Sequence, residues 1–275
     1  MLASAIAAYH MNIPNAHIHG GDKSGGIDEY NRHAITKISN IHFAATQKSM
    51  ERIIKMGENP KNVFLTGSPS IDEIVNNRIT NKKDLDLLYG IRFTGKEILL
   101  VYHSVTTEIG KTEAQIRNLL DAVTKIKNTT IAILPNSDAG SKKIFQHIRS
   151  YSKLYKFIKI YPSIPRSDYL GMLKNCGVLL GNSSSGMIEA SYFNIPVINV
   201  GVRQKNRERG KNIIDVEDGS TDSIYVAILK ALKEKGHSRS HVHGIYGKGD
   251  ASSKIVNYLE KIPLGEELIQ KQISY

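Results

Sequence analysis

Residues 177–200 read GVLLGNSSSGMIEASYFNIPVINV, and this stretch decides the predicted fold. The apolar runs GVLL and PVINV have the length of buried strands, and the segment MIEASYF between them has the pattern of a helix. A strand, a helix and a second strand in this order are typical of a parallel sheet covered by helices.

The same alternation continues towards the N-terminus and predicts an α/β fold. Further strand-length apolar runs lie at residues 16–18, 41–45, 63–66, 98–103 and 131–134, with helix-like segments between them. A polar stretch over residues 77–96 separates two series of strands. We therefore predict two domains: residues 1–80, the remainder of an N-terminal Rossmann-like domain, and residues 81–275, a second Rossmann-like domain that ends in closing helices. Because the chain opens on a helix, LASAIAAYHM, with no strand before it, we expect the first domain to be N-terminally truncated.

Composition narrows the class of protein. The 275 residues carry 37 Lys and Arg against 26 Asp and Glu, a net charge of +11, and one cysteine, Cys176. A single cysteine excludes an internal disulfide scaffold and a cysteine-rich zinc site. No apolar run approaches the roughly 20 residues of a membrane span, so we expect a cytoplasmic protein with no membrane partner. The basic residues are spread along the chain, which favours a solvated surface over a nucleic-acid-binding stripe.

The turn after GVLL is the best candidate for binding a phosphate. Free amide groups at the start of a helix, together with the helix dipole, favour an anion there. Ser183 and Ser184 add hydroxyl groups, Gly186 allows close approach of the backbone, and Glu189 could accept hydrogen bonds from a ribose. The alternative is an ordinary serine N-cap on a structural helix.

Three further residues lie at the ends of predicted strands, where open α/β sheets bind ligands. Arg203 follows PVINV and could clamp a diphosphate, or belong to a solvated loop. His103 closes the strand ILLVYH, and Asn136 follows the next strand at a similar depth. A buried histidine with its hydrogen bonds satisfied is the equal alternative for His103.

The segment AHIHGGDKSGGIDEYNRH, residues 16–33, gathers groups that suit proton transfer. His19 ends a strand, Asp22 lies in the following loop, and Asp28 and Glu29 begin the next helix. In the alternative interpretation Asp28 only caps that helix and Glu29 complements its dipole. No metal site is predicted, because His241 and His243 lack a carboxylate partner and indicate a polar loop.

Taken together, these segments resemble the hydrolysing UDP-N-acetylglucosamine 2-epimerases of the sialic-acid branch. The matching stretches occur in family order over nearly the whole chain: HIHGGDKSGGIDEYNRHAITK, VFLTGSPSID, HSVTTE, LPNSDAGSKK, GNSSSGMIEASYFNIPVINVGVRQKNR and IYGKGDAS. The resemblance implies a fold of GT-B type with two Rossmann-like halves, UDP-N-acetylglucosamine as substrate, a homodimer, and no cofactor.

The resemblance also implies roles for individual residues. Ser183 and Ser184 fall on diphosphate-binding positions and Glu189 on a ribose-binding one, while Arg203, Asn136 and His103 fall on further nucleotide-sugar contacts. Ile164 matches a position near the uracil, and Asp28 matches a catalytic acid. Part of the family has a glutamate where this sequence has His19, so Asp22, three residues later, is the candidate for the second acid. The GDR motif that the family carries earlier does not occur in this sequence, which again leads us to expect a truncated first domain.

The implied reaction is elimination of UDP followed by hydration, which yields N-acetylmannosamine and UDP for sialic-acid-type sugars. Four alternatives stay open at this point: a GDP-sugar 2-epimerase of the legionaminic branch, a GT-B glycosyltransferase, an inactive nucleotide-sugar-binding fragment, and a nucleic-acid binder.

Overall fold

A computed structural model describes residues 1–76, 79–234 and 244–274. The helices in chain order are α1 (Leu2–His10), α2 (Ile27–Ile38), α3 (Gln47–Lys55), α4 (Pro69–Val75), α5 (Lys82–Tyr89), α6 (Thr112–Ile126), α7 (Ser141–Leu154), α8 (Arg166–Asn175), α9 (Ser185–Tyr192), α10 (Thr221–Glu234), α11 (Ala251–Leu259) and α12 (Glu266–Ile269). The strands are β1 (Ala16–Ile18), β2 (Ile41–Ala44), β3 (Val63–Leu65), β4 (Ile98–Val101), β5 (Thr130–Ile133), β6 (Ile158–Tyr161), β7 (Val178–Gly181), β8 (Val197–Val200) and β9 (Ile213–Val216). Short 3-10 turns cover Pro60–Asn62 and Thr106–Lys111.

The described residues divide into two compact units. The first contains residues 1–76, 205–208 and 244–274, and the second contains residues 79–204 and 209–234. The predicted second domain, 81–275, is therefore too long at its C-terminal end, because helix α11 packs against α4 of the first unit. Asp72 on α4 accepts hydrogen bonds from the amides of Ala251 and Ser252, at 3.0 and 2.6 Å, and so caps α11 from a distance of about 180 residues in sequence.

The first unit is built on a three-stranded parallel sheet in the order β1-β2-β3. Its central strand β2 is buried along its whole length, as a strand covered on both faces should be. Phe43 of β2 packs with Ile41, Ile255 and Leu268, so the C-terminal helices complete this core. A second small cluster joins Ile53 of α3 to the sheet.

The second unit contains a six-stranded parallel sheet in the order β6-β5-β4-β7-β8-β9. Helices α6, α7 and α10 contribute to a cluster of buried residues on one face, and α5, α8 and α9 contribute to a cluster on the other. From β4 the chain adds β5 and β6 towards one edge of the sheet, and from β7 it adds β8 and β9 towards the other edge. The chain therefore reverses its direction of winding between β4 and β7. In open α/β sheets the crevice outside the carboxyl ends of such a pair is the usual ligand site.

Each of the apolar runs predicted as a strand overlaps one, which confirms the α/β assignment. Two strands were not predicted, β6 and β9, and both lie at the edges of the six-stranded sheet. Most of their residues are only partly buried, so they lack the continuous apolar pattern that marks the central strands. No helix in the described part of the chain is both long and apolar enough to cross a bilayer.

Candidate functional site

The first candidate cluster lies at the turn from β7 into α9, in the second unit. Gly181 ends β7 with φ +137°, and a Cβ at this position would overlap the carbonyl oxygen of Val101 on the neighbouring strand. Only glycine therefore allows the two strand ends to approach so closely. Ser183 and Ser184 follow, half-buried just before α9, where the helix dipole favours an anion.

Asn182 ties the two strand ends at the point where the winding reverses. Its side chain is 1% exposed; its Oδ1 accepts from the amide of His103 and its Nδ2 donates to the carbonyl of His103, each at 2.8 Å. Its own carbonyl accepts from Arg203 Nη1 at 3.0 Å and from Gln204 Nε2 at 3.1 Å. One asparagine thus fixes the position of both His103 and Arg203.

His103 is a neutral imidazole at neutral pH. Burial and, to a smaller degree, the nearby positive charge of Arg203 lower the pKa of His103 to about 4. Its Nδ1 accepts from the amide of Asn136 at 3.3 Å, which assigns the proton to Nε2. His103 can therefore donate one hydrogen bond from Nε2 but carries no charge with which to hold a phosphate.

Glu189 lies one turn into α9 and is 4% exposed. Its Oε1 accepts from Arg166 Nη2 at 2.7 Å, whereas its buried Oε2 has no hydrogen-bond partner among the residues that the structure describes. A buried carboxylate oxygen without a partner is costly, so this oxygen is suited to accept from a bound hydroxyl group.

Two other predicted binding residues, Gly186 and Ile164, have hydrophobic neighbours. A Cβ on Gly186 would lie 2.8 Å from Val197 Cγ1, and the Gly186 amide donates to the Ser183 carbonyl at 3.1 Å. Gly186 therefore lets α9 pack on β8, and its amide is already used by the turn. Ile164 is half-buried and packs against the hydrophobic cluster of α5, α8 and α9.

The second candidate cluster lies in the first unit, at the end of β1. The amide of His19 donates to the carbonyl of Phe43 at 3.0 Å and extends the pairing of β1 with β2. His19 then adopts φ 65°, and Gly21 follows with φ +74°. A left-handed histidine is uncommon, because its Cβ crowds the following carbonyl, and such residues are enriched at functional sites.

Asp22 lies underneath this turn, with its side chain fully enclosed. Its Oδ2 contacts His19 Nδ1 at 3.1 Å and Arg207 Nη2 at 2.8 Å, and its Oδ1 accepts from Ser49 Oγ at 2.7 Å. Burial alone would raise the pKa of Asp22, but the hydrogen bond to His19 and the charge of Arg207 outweigh it and lower the pKa to about 2. The carboxylate is permanently ionised near neutral pH, a state that suits holding His19 better than touching a substrate.

Asp28 and Glu29 lie in the first turn of α2, and the N-cap is Gly26, so the alternative in which Asp28 caps this helix is wrong. Asp28 is exposed. Glu29 accepts from the amide of Ser24 at 2.6 Å and lies 3.4 Å from Arg32 Nη1, so it stabilises the loop between β1 and α2. Of these two acids, Asp28 is the more exposed.

The residues that the sequence did not single out make long-range contacts. Ser49, Ser68 and Arg207 all surround the His19–Asp22 pair, and Arg166 holds Glu189. Arg203 and Arg207 both lie in the loop after β8. Arg203, the predicted ligand-binding residue, belongs to the second unit, and Arg207, four residues later, belongs to the first. No local pattern distinguishes the two.

No group of three or more His, Cys, Asp or Glu side chains in the described ranges could hold a metal ion. The predicted polar loop with His241 and His243 lies outside the described residues.

Comparison with known proteins gives consistent matches. A family model described as UDP-N-acetylglucosamine 2-epimerase matches residues 1–260. The UDP-N,N'-diacetylbacillosamine 2-epimerase (hydrolyzing) of Legionella pneumophila is 39% identical over 100% of this chain and 72% of its own length. The polysialic acid biosynthesis protein P7 of Escherichia coli is 42% identical over 77% of this chain, which spans only 54% of that relative.

Among solved structures, the UDP-GlcNAc 2-epimerase from Neisseria meningitidis bound to UDP-GlcNAc superposes with a TM-score of 0.77. The match covers 95% of this chain and 73% of that one at 18% identity, a likeness that concerns the fold.

Proposed function

The chain belongs to the UDP-N-acetylglucosamine 2-epimerase family, and from this premise we propose that it is a hydrolysing 2-epimerase that converts UDP-N-acetylglucosamine to N-acetylmannosamine and UDP. The observation that carries the proposal is the β7–α9 turn. It sets Ser183 and Ser184 at a helix N-terminus, beside the strand pair where the winding reverses. One turn away lies Glu189 Oε2, which has no partner within the described ranges. This arrangement suits a diphosphate followed by a ribose.

The proposed reaction begins with loss of UDP. A base removes the proton from C2 of the sugar, the C2–H electron pair forms a C1=C2 double bond, and the C1–O bond breaks as UDP leaves. The product of this step is a 2-acetamidoglucal. A proton then adds to C2 from the opposite face and water adds to C1, which gives N-acetylmannosamine. The reaction needs no redox cofactor, because no electrons are exchanged with an external group.

Charge develops on the diphosphate as UDP leaves, so donors aimed at it lower the barrier. In our proposal these donors are the hydroxyls of Ser183 and Ser184 and the guanidinium of Arg203, and the positive end of the α9 dipole adds to their effect. His103 contributes a neutral Nε2–H donor, since its pKa of about 4 leaves it uncharged. Asn136 and Ile164 complete the nucleotide-sugar contacts by resemblance.

We propose Asp28 as one of the groups that exchange protons with the sugar. It is an exposed carboxylate at the start of α2, beside the loop that carries His19 and Asp22. A carboxyl group is a common general acid or base. Asp22, the second predicted acid, enters the mechanism through His19.

The nucleotide half of the proposal is tested by UDP binding. We expect Glu189→Gln to weaken the affinity for UDP about tenfold. The glutamine side chain has one acceptor oxygen, so it cannot accept from both Arg166 and the ribose as the two carboxylate oxygens can. Ser184→Ala should lower kcat on the order of 10²-fold, through loss of a donor to the departing diphosphate. Ser191→Ala, at the other end of α9, is the matched control. Unchanged UDP affinity in the Glu189 variant would contradict the assignment.

A second substrate is favoured by one observation. The Legionella pneumophila relative that matches this chain over its whole length is a UDP-N,N'-diacetylbacillosamine 2-epimerase. The ratio of kcat/KM for the two UDP-sugars decides between them, and a thermal-shift comparison of UDP with GDP tests the choice of base. We also propose that the product feeds synthesis of sialic-acid-type sugars in the cytoplasm and that the protein is a homodimer, which light scattering would check.

A further inference from the structure

The loop after β1 places a histidine, not a second carboxylate, at the surface. The His19 side chain is 24% exposed, whereas that of Asp22 is fully enclosed. A group that exchanges protons with a ligand must reach it, and Asp22 does not, since His19, Ser49 and Arg207 occupy its oxygens.

The partners of His19 fix its tautomer. Asp22 is ionised and can only accept, so Nδ1 of His19, at 3.1 Å from Oδ2, must carry the proton. The lone pair of a neutral His19 therefore lies on Nε2, where the hydroxyl of Ser68 donates to it at 2.8 Å. The ring of Tyr246 stacks on the imidazole with 6.4 Å between centroids. The carboxylate of Asp22 thus orients the imidazole through Nδ1 and leaves Nε2 as its basic nitrogen. Histidines that act as general bases use this arrangement.

The backbone supports the same conclusion. His19 is held at φ 65°, a left-handed conformation that is unfavourable for a residue with a Cβ. A strained backbone conformation persists only where the surrounding structure holds it in place, and such conformations are concentrated at functional sites.

Inversion at C2 needs two proton-transfer groups, one for each face of the sugar. Resting on the function proposed above, we propose that His19 is the second proton-transfer group, beside Asp28, and that Asp22 is its positioning residue. Rotation of the Ser68 hydroxyl frees Nε2, which takes the C2 proton as the C1–O bond breaks. Asp28 in its acid form gives a proton to C2 on the other face and regains one from the water that adds to C1, while the proton on His19 passes to solvent.

The left-handed backbone of His19 allows its side chain to be removed without straining the chain. His19→Gly keeps a backbone that glycine adopts readily at φ 65° and removes only the imidazole. We expect kcat to fall between about 10² and 10⁴-fold with KM within a few-fold, and added imidazole to restore at least about tenfold of the loss. Imidazole should not restore activity to Asp28→Ala. His33→Asn, which removes an exposed histidine 3.4 Å from Glu29, should leave kcat unchanged.

Two results overturn the proposal in an active enzyme: a His19→Gly variant within threefold of the wild type, or a slow variant that imidazole does not restore. If the wild type turns over neither UDP-sugar, the proposed function fails and the imidazole ¹⁵N spectrum decides the pairing separately. If His19 has a single Nδ1–H tautomer that becomes a mixture in Asp22→Asn, the proposed pairing is supported. If the tautomer is the same in the wild type and in Asp22→Asn, the proposed pairing is overturned.

Discussion

At the scale of single residues, the ends of parallel strands hold most of the chemistry. Gly181 allows β7 to end against β4, and Asn182 binds both the amide and the carbonyl of His103. At the end of β1, Gly21 turns the chain so that Asp22 passes beneath His19. In both units, a glycine with positive φ is next to, or close to, the polar side chain that organises the cluster.

Gly21 gives the first prediction. An alanine here would take an unfavourable φ of +74°, and its Cβ would overlap the carbonyl oxygen of Ser49. We expect Gly21→Ala to lower the free energy of unfolding by at least about 2 kcal/mol, measured by urea denaturation. Gly110→Ala, where a Cβ meets no atom of the described part of the chain within 4 Å, should change it by less than about 0.5 kcal/mol. Equal stability of the two variants would contradict the description of this turn.

Local sequence predicts some of these residues and cannot predict others. The loop with His19 and Asp22 and the serines before α9 follow apolar runs, so their positions at strand ends could be predicted. Arg207 reaches Asp22 across 185 residues of sequence, and only the folded chain brings them together. The enclosure of Asp22, which changes its role, follows from that contact and was therefore not predictable from the loop.

At the scale of secondary structure elements, the C-terminal segment belongs to the first unit. Lys271 Nζ donates to Glu58 Oε2 at 2.6 Å, to the Ser39 carbonyl at 2.7 Å and to the Thr36 carbonyl at 3.3 Å. Glu58 also pairs with Lys37 and with buried His42. Burial alone would raise the pKa of Glu58, but the hydrogen bonds from His42 and the two lysines lower it to about 2.

Lys271 gives the second prediction. Lys271→Ala leaves two buried carbonyls and one oxygen of Glu58 without this donor, so we expect a loss of about 2 kcal/mol in the stability of the first unit. Lys254→Ala breaks an exposed pair with Asp250 and should cost less than about 0.5 kcal/mol. Chemical denaturation measures both. If the two substitutions cost the same, the segment after α12 adds little to the fold.

The alternation of strands and helices in the sequence does not predict the domain boundary. Alternation of strands and helices predicts the α/β class and the central strands. It does not say that the chain returns to the first unit at residue 244, because the amphipathic pattern of α11 would suit a helix on either sheet. The edge strands β6 and β9 were missed for a related reason, since half-exposed strands carry a weak apolar pattern.

At the scale of the whole molecule, the buried ionisable groups predict how stability depends on pH. Burial lowers the pKa of His17 and of His103 from 6.5 to about 4. The unfolded chain binds more protons than the native one between these values, so their contribution to stability is complete above pH 6.5 and is lost as the pH falls to 4. Asp22 and Glu58, with pKa values near 2, add a further loss below pH 4.5.

The third prediction is therefore a thermal midpoint that is flat above pH 7 and falls steadily below pH 6.5, before most carboxylates titrate. His17→Gln should flatten the part of the curve between pH 6.5 and 4, and the exposed His10→Gln serves as its control. A midpoint that stays constant down to pH 4.5 would contradict the buried, neutral state of these histidines.

The net charge of +11 has a simple interpretation in the proposed function, because the substrate is an anion. A basic protein attracts an anionic sugar nucleotide at long range, and this attraction weakens as salt screens it. The charge does not require a nucleic-acid partner.

The proposed epimerase reaction is tested most directly by incubating UDP-N-acetylglucosamine with this chain in D₂O and following the products by proton NMR. We predict free UDP and N-acetylmannosamine that carries deuterium at C2, because the proton removed from one face is replaced from solvent-exchanged groups on the other. Release of N-acetylglucosamine that keeps its C2 proton, or an unchanged substrate, would contradict the proposed reaction.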